Sequence, residues 1–142
     1  MSSESARPVR EDRASPRIAY CDGPRLRRAI LAAAEYVSAH RSELNRINVF
    51  PVPDGDTGTN LALTMRSVAD AVRPLEDDGV GEVASVAAEA SVMGARGNSG
   101  MLVAHFLSGF SRGLGQRLRV GTREIAAALD RGSEAVQDAL DR

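Results

Sequence analysis

Residues 48–60 read Asn-Val-Phe-Pro-Val-Pro-Asp-Gly-Asp-Thr-Gly-Thr-Asn and run directly into a segment of apolar periodicity. The two prolines fix φ and keep the residues before them extended, so the stretch begins as a stiff, non-helical loop. Asp54 and Asp56 are separated by one glycine, a spacing that can direct two carboxylates at one hard cation. Carboxylates beside a helix N-terminus are what a magnesium-phosphate site requires. From the spacing alone, a surface turn without a ligand stays open as the alternative.

A calcium-binding EF-hand is excluded for this loop. Such a loop needs glycine at its sixth position and glutamate at its twelfth. Counted from Asp54, those positions hold Thr59 and Met65.

Composition narrows the class of protein. A chain of 142 residues is expected to form one domain, and a hydrophobic share of 43% with only 4% aromatic residues favours closely packed, alanine-rich helices. The net charge of −1 gives no indication of nucleic-acid binding, and no apolar run reaches the roughly 18–20 residues of a membrane span. The chain contains no lysine, which excludes a Walker-type phosphate lysine. Its single cysteine, Cys21, permits no internal disulfide and favours a cytoplasmic location.

Hydrophobic periodicity predicts five helices. Residues 1–21 show no such period and are interpreted as a disordered leader before a domain over 22–142. The first helix begins near Asp22, which is a candidate cap, and is expected to break near residues 41–42. The others are predicted at 59–73, 80–93, 99–112 and from 122 to the end of the chain. No segment shows the period-two pattern of a strand.

A second glycine-rich loop lies between the third and fourth predicted helices, over residues 94–100, Gly-Ala-Arg-Gly-Asn-Ser-Gly. It is neither a Walker loop nor a Rossmann fingerprint, because it has no lysine and no preceding strand. Taken alone it fits a tight turn or an anion site, where Ser99 and the amides of residues 98–101 could hold phosphate oxygens. Two helices separate this loop from the first one. In an antiparallel array both loops therefore lie at the same end.

These two loops together carry a resemblance to a known family. Residues 48–65 and the stretch Met93-Gly94-Ala95-Arg96-Gly97-Asn98-Ser99-Gly100 resemble the signature of the DhaL-like kinase domain, the domain of the dihydroxyacetone kinase L subunit. The closest variant is the N-terminal domain of bacterial fatty acid kinase A. Two motifs in the right order make the resemblance specific, and it covers roughly residues 24–142.

The resemblance implies a fold and a set of ligands. The fold is an all-α antiparallel helical bundle or barrel of eight helices with ATP or ADP and two Mg²⁺ at one end. About five of the eight helices are predicted here, so the domain is expected to be incomplete at its C-terminus. Phosphoryl transfer in such a domain depends on metal ions that neutralise charge on the phosphates.

The resemblance also implies a role for each motif residue. Asp54 and Asp56 match two of three metal-binding, catalytic aspartates, and the third place is matched by Asn48, which offers an amide oxygen without charge. The implied phosphate-lining residues are Thr57, Gly58, Thr59 and Asn60, with Gly97, Asn98, Ser99 and Gly100 closing over them. Thr57 stands where dihydroxyacetone kinases often have histidine, which favours the fatty acid kinase variant.

In such families the phosphoryl acceptor is carried by a separate protein. The expected partner is a DegV-like fatty-acid-binding protein, or else a dihydroxyacetone-binding subunit with glycerone kinase-type activity. A non-catalytic nucleotide-binding or regulatory module and a plain helical structural domain are the rival interpretations. A homodimer stays open, and neither nucleic acid nor a membrane-spanning segment is expected.

Overall fold

The computed structural model describes residues 20–47 and 55–141. Within them, two short strands and six helices follow in this order: β1 (Cys21–Asp22), α1 (Gly23–Ala39), α2 (Arg41–Arg46), α3 (Thr57–Val72), α4 (Val80–Gly94), α5 (Gly97–Leu114), β2 (Arg119–Val120) and α6 (Thr122–Leu140). The predicted all-α class is confirmed. The first predicted helix breaks at His40, where expected, so α1 and α2 replace one longer helix. Among the described residues, no helix combines the length and apolarity that crossing a bilayer requires.

The two strands correct the prediction that the chain has none. They pair antiparallel, Cys21 with Val120 and Asp22 with Arg119. Two residues are too few to display an alternating pattern, which is why these strands could not be predicted from the sequence. Cys21 therefore belongs to the folded part, while residues 1–19 of the predicted leader lie outside the described residues.

The core is built from small and branched apolar side chains on α1, α3, α4, α5 and α6. Leu26 of α1 lies between two buried clusters and packs against both. One cluster contains Val80, Ala84, Phe110, Leu114, Val120 and Ala128. The other contains Ile30, Val68, Val72, Val83 and Ala87. Because few side chains are large, the helices approach closely, as the alanine-rich composition predicted.

Helices α5 and α6 pack with their backbones close together. A Cβ atom added at Gly109 would collide with the carbonyl oxygen of Arg131, and one at Gly113 would lie 2.7 Å from the Cα of Ala128. By its place in the apolar pattern of α6, Leu129 would be expected to face the core, but it is 46% exposed. Ala128 and Gly132 are the buried residues instead, because the backbone of α5 leaves no room for a leucine.

Candidate functional site

The N-termini of α3 and α5 lie side by side at one end of the bundle. The hydroxyl of Ser99 donates to the carbonyl oxygen of Thr57 at 3.3 Å. Gly97 faces Asn60, since an added Cβ would lie 2.5 Å from the Asn60 Nδ2 atom. The helix between them, α4, runs back along the bundle. The prediction that the two glycine-containing loops lie at the same end is therefore confirmed for the parts of them that the structure describes, residues 55–60 and 94–100.

A buried threonine joins these two helix starts. Thr64 of α3 is completely buried. Its hydroxyl donates to the carbonyl of Asn60 at 2.8 Å and accepts from the amide N–H of Arg96 at 3.0 Å. This bond holds Arg96, the residue that precedes α5, against α3. This hydrogen bond to a buried hydroxyl therefore fixes the position of the α5 N-terminus along the axis of α3.

At the start of α3 the helix begins two residues earlier than predicted. Gly55 adopts φ +72°, a left-handed conformation that favours glycine, and turns the chain into the helix. Asp56 occupies the N-cap position, so Thr59 and Asn60 lie inside the first turn of the helix. Its carboxylate makes no capping bond to the helix, and the residue is exposed. An acidic side chain at this position lies beside the positive end of the helix dipole.

Helix α2 supports the first turn of α3. Gly58 is buried against α2, where an added Cβ would collide with the carbonyl oxygen of Arg41 and lie 2.8 Å from the Cβ of Leu44. Asn45 of α2 bonds to Thr59 twice: its Oδ1 accepts from the Thr59 amide at 3.0 Å, and its Nδ2 donates to the Thr59 Oγ1 at 3.0 Å. The amide of Thr59 is therefore already paired within the protein.

The start of α5 is also displaced from its predicted position. The helix begins at Gly97, with φ +64°, instead of at Ser99. The first-turn amides that lack a partner inside a helix are thus those of residues 97–99, where the sequence predicted 98–101. Gly100 does not belong to this set, because its amide donates to the carbonyl of Arg96 at 3.1 Å. It is buried against Thr64 and permits the close approach of α5 to α3.

Of the three predicted metal ligands, Asp56 is the one that the structure describes. Asn48 and Asp54 lie outside the described residues. Within the described ranges, no three His, Cys, Asp or Glu side chains form a cluster that could hold a metal ion. Asp56 and the adjacent first-turn amides of α3 and α5 form a donor set that fits a phosphate group with a divalent cation.

Two residues of this site were not predicted from the sequence. Asn45 lies outside both motifs, and no signal in the sequence associates it with Thr59. Thr64 did carry a signal, because it stands four residues after Asn60, the spacing at which a helical threonine hydroxyl bonds to a carbonyl.

The fold and the site define a helical-bundle domain with two glycine-flanked helix N-termini and an aspartate at one end, the class to which DhaL-like domains belong. The sequence profile of the DAK2 domain family matches residues 51–140. The chain belongs to this family, whose members are domains of the DhaL kinase type. The resemblance found in the two loops is therefore confirmed.

Proteins similar to this chain are longer. Protein YloV of Bacillus subtilis is 40% identical over 119 residues, which are 84% of this chain and 22% of that protein. An uncharacterized protein of Staphylococcus saprophyticus is 34% identical over 119 residues, again 22% of its length. An uncharacterized protein of Staphylococcus aureus is 32% identical over 111 residues, 20% of its length. The chain spans about a fifth of the relatives that it matches.

Proposed function

We propose that this chain is the nucleotide-binding part of a kinase that transfers a phosphoryl group from ATP, with Mg²⁺, to a fatty acid held by a separate DegV-like protein. The observation that carries the proposal is the contact between the N-termini of α3 and α5 beside Asp56. Two helix N-termini that converge offer amide donors and positive dipole ends to one phosphate chain. Membership in the DAK2 family supports the same interpretation.

The proposed roles follow the chemistry of each group. Asp56, with Asp54 and Asn48 from the preceding loop, would supply oxygen ligands to magnesium. The amides of Thr57 and Gly58 and those of residues 97–99 would donate to phosphate oxygens. Bound Mg²⁺ would neutralise negative charge on the phosphates.

The first test of this function is calorimetric titration of ADP into the whole chain, with Mg²⁺ and then with EDTA. We expect binding with Mg²⁺ only. We also expect Asp56→Asn to abolish it without changing helicity, because the substitution removes a charge from the metal site while keeping the shape of the side chain. Asp70→Asn is the matched control, since Asp70 lies exposed on the same helix and makes a long ionic contact of 3.9 Å to Arg73. Equal affinity in wild type and Asp56→Asn would contradict the site assignment.

A second test concerns the acceptor. Thr57, in place of the histidine of many dihydroxyacetone kinases, favours the fatty acid. Phosphoryl transfer is measured to an acyl-loaded DegV-like protein and, separately, to a dihydroxyacetone-loaded subunit. Transfer to the first alone supports the proposal, and transfer to the second alone supports glycerone kinase-type activity. Nucleotide binding without transfer to either would support a non-catalytic, nucleotide-binding module.

A further inference from the structure

Asn45 is bound to the proposed phosphate site by two hydrogen bonds to a single residue. Its side chain lies fourteen positions before Thr59 in the chain and reaches it from a different helix. Both bonds, to the amide and to the hydroxyl of Thr59, measure 3.0 Å and are partly buried. Gly58 brings the two helices into backbone contact beside them. The Asn45 side chain is therefore held against the first turn of α3.

The direction of the second bond follows from the first. A backbone N–H can only donate, so the atom of Asn45 that faces it must be the carbonyl oxygen. The amide nitrogen of Asn45 then faces the hydroxyl of Thr59, and a side-chain NH₂ group can only donate. The oxygen of Thr59 therefore accepts from Asn45. The hydroxyl proton of Thr59 must point away from Asn45, and no other hydrogen bond within the described residues uses it.

We propose that Asn45 is a positioning residue that orients the hydroxyl of Thr59 as a donor to a phosphate oxygen of the bound nucleotide. The inference rests on the proposed function, because it needs a phosphate at the start of α3. Thr59 lies in the first turn of this helix, whose N-terminus is the proposed anion site. Its own amide is paired with Asn45, so its hydroxyl is the group through which it reaches the ligand.

A purely structural role for Asn45 makes a different prediction. If Asn45 did no more than cap the amide of Thr59, aspartate would replace it well, because a carboxylate oxygen also accepts from that amide. A carboxylate cannot donate, however. In Asn45→Asp the hydroxyl of Thr59 must turn its proton toward the new carboxylate. The hydroxyl can then no longer donate a hydrogen bond to the ligand. The substitution preserves the cap and removes the donor.

The test compares four forms of the whole chain by titration with ADP and Mg²⁺: wild type, Asn45→Asp, Thr59→Val and the double variant. We expect each single variant to bind about tenfold more weakly or worse, the loss expected for one hydrogen bond to a charged group. We expect the double variant to bind no more weakly than Thr59→Val. Thermal unfolding of Asn45→Asp should occur close to the wild-type midpoint, because the new negative charge is favourable at the start of α3 and unfavourable in the last turn of α2.

The double variant separates the two ways in which aspartate could weaken binding. If the new charge merely repelled the phosphates, Asn45→Asp would cost as much affinity in the Thr59→Val background as in wild type. That result would overturn the inference, as would wild-type affinity in Asn45→Asp. If wild type itself binds no ADP with Mg²⁺, the proposed function fails and the inference fails with it. If wild type binds ADP with Mg²⁺ and Asn45→Asp binds it equally well, the inference fails while the proposed function stands.

A measurement without ligand tests the geometry directly. The amide of Thr59 should be protected from hydrogen exchange in wild type and in Asn45→Asp, and should exchange quickly in Asn45→Ala, because alanine offers no acceptor. Rapid exchange of this amide in wild type would show that Asn45 does not hold Thr59, and would overturn the inference.

Discussion

The bond between Thr64 and Arg96 predicts the effect of one substitution in detail. Thr64→Val keeps the shape of a completely buried side chain and removes its hydroxyl. The carbonyl of Asn60 still belongs to a helix, but the amide of Arg96 loses its acceptor. An unpaired, partly buried amide costs about 1–3 kcal/mol, and the added methyl group offsets up to about 1 kcal/mol. The expected net loss is about 1–2 kcal/mol in the free energy of unfolding.

Two measurements check this value. Urea unfolding of Thr64→Val, followed by circular dichroism, should show a midpoint lower by roughly 1 M for an m-value near the small-protein range. Hydrogen exchange at the amide of Arg96 should become faster. Thr64→Ser is the control, because it retains the hydroxyl and loses only a methyl group, so its Arg96 amide should stay protected. Wild-type stability in Thr64→Val, or an Arg96 amide that is equally protected in both variants, would refute the reasoning.

Three further predictions concern packing, capping and pH. Gly109→Ala should destabilise the fold by about 1–3 kcal/mol in urea unfolding, because the new methyl group collides with the Arg131 carbonyl. Asp22→Ala should cost about 1 kcal/mol, measured in the same way, because the Asp22 carboxylate accepts from the Arg25 amide at 3.0 Å. Burial, and then the negative charge of Asp22, raise the pKa of the Cys21 thiol above its ordinary value, with Arg25 acting in the opposite direction. Stability should therefore fall as the pH rises from the ordinary thiol pKa through this raised value, and Cys21→Ala should lack that alkaline loss.

The helices could be predicted because their apolar residues recur at helical spacing. Val68 and Val72 on α3 are completely buried, Phe110 on α5 is buried, and each belongs to a segment whose helical character was predicted. The residues that start the helices were harder to identify. Gly55 and Gly97 take positive φ values, and a sequence reveals that glycine permits this conformation without revealing that the chain uses it. Both helices accordingly begin two residues before their predicted starts.

Long-range polar partners could not be predicted from spacing. The cap of Thr59 comes from Asn45 on another helix, fourteen residues away, and nothing in a local pattern selects one asparagine over another. The small residues of α6 present a similar difficulty. Ala128 and Gly132 are buried because α5 approaches closely, whereas a hydrophobicity pattern assigns more weight to Leu129. Periodicity identifies the buried face to within a residue or two, and the shape of the neighbouring helix decides the rest.

The alignment of the site depends more on polar bonds than on the core. Apolar packing brings α3 and α5 together, but it is non-directional and only loosely fixes how far one helix is shifted along the other. The hydrogen bonds from Ser99 to Thr57 and from Arg96 to Thr64 have narrow distance and angle ranges, so each permits one relative position of the two helices. Substitutions that remove these bonds should therefore weaken nucleotide binding more than they reduce stability. Substitutions in the cluster around Phe110, nearer the C-terminal end of α5, should reduce stability and leave the affinity of the folded protein unchanged. Equal ratios of affinity loss to stability loss in the two groups would show that packing alone aligns the helices.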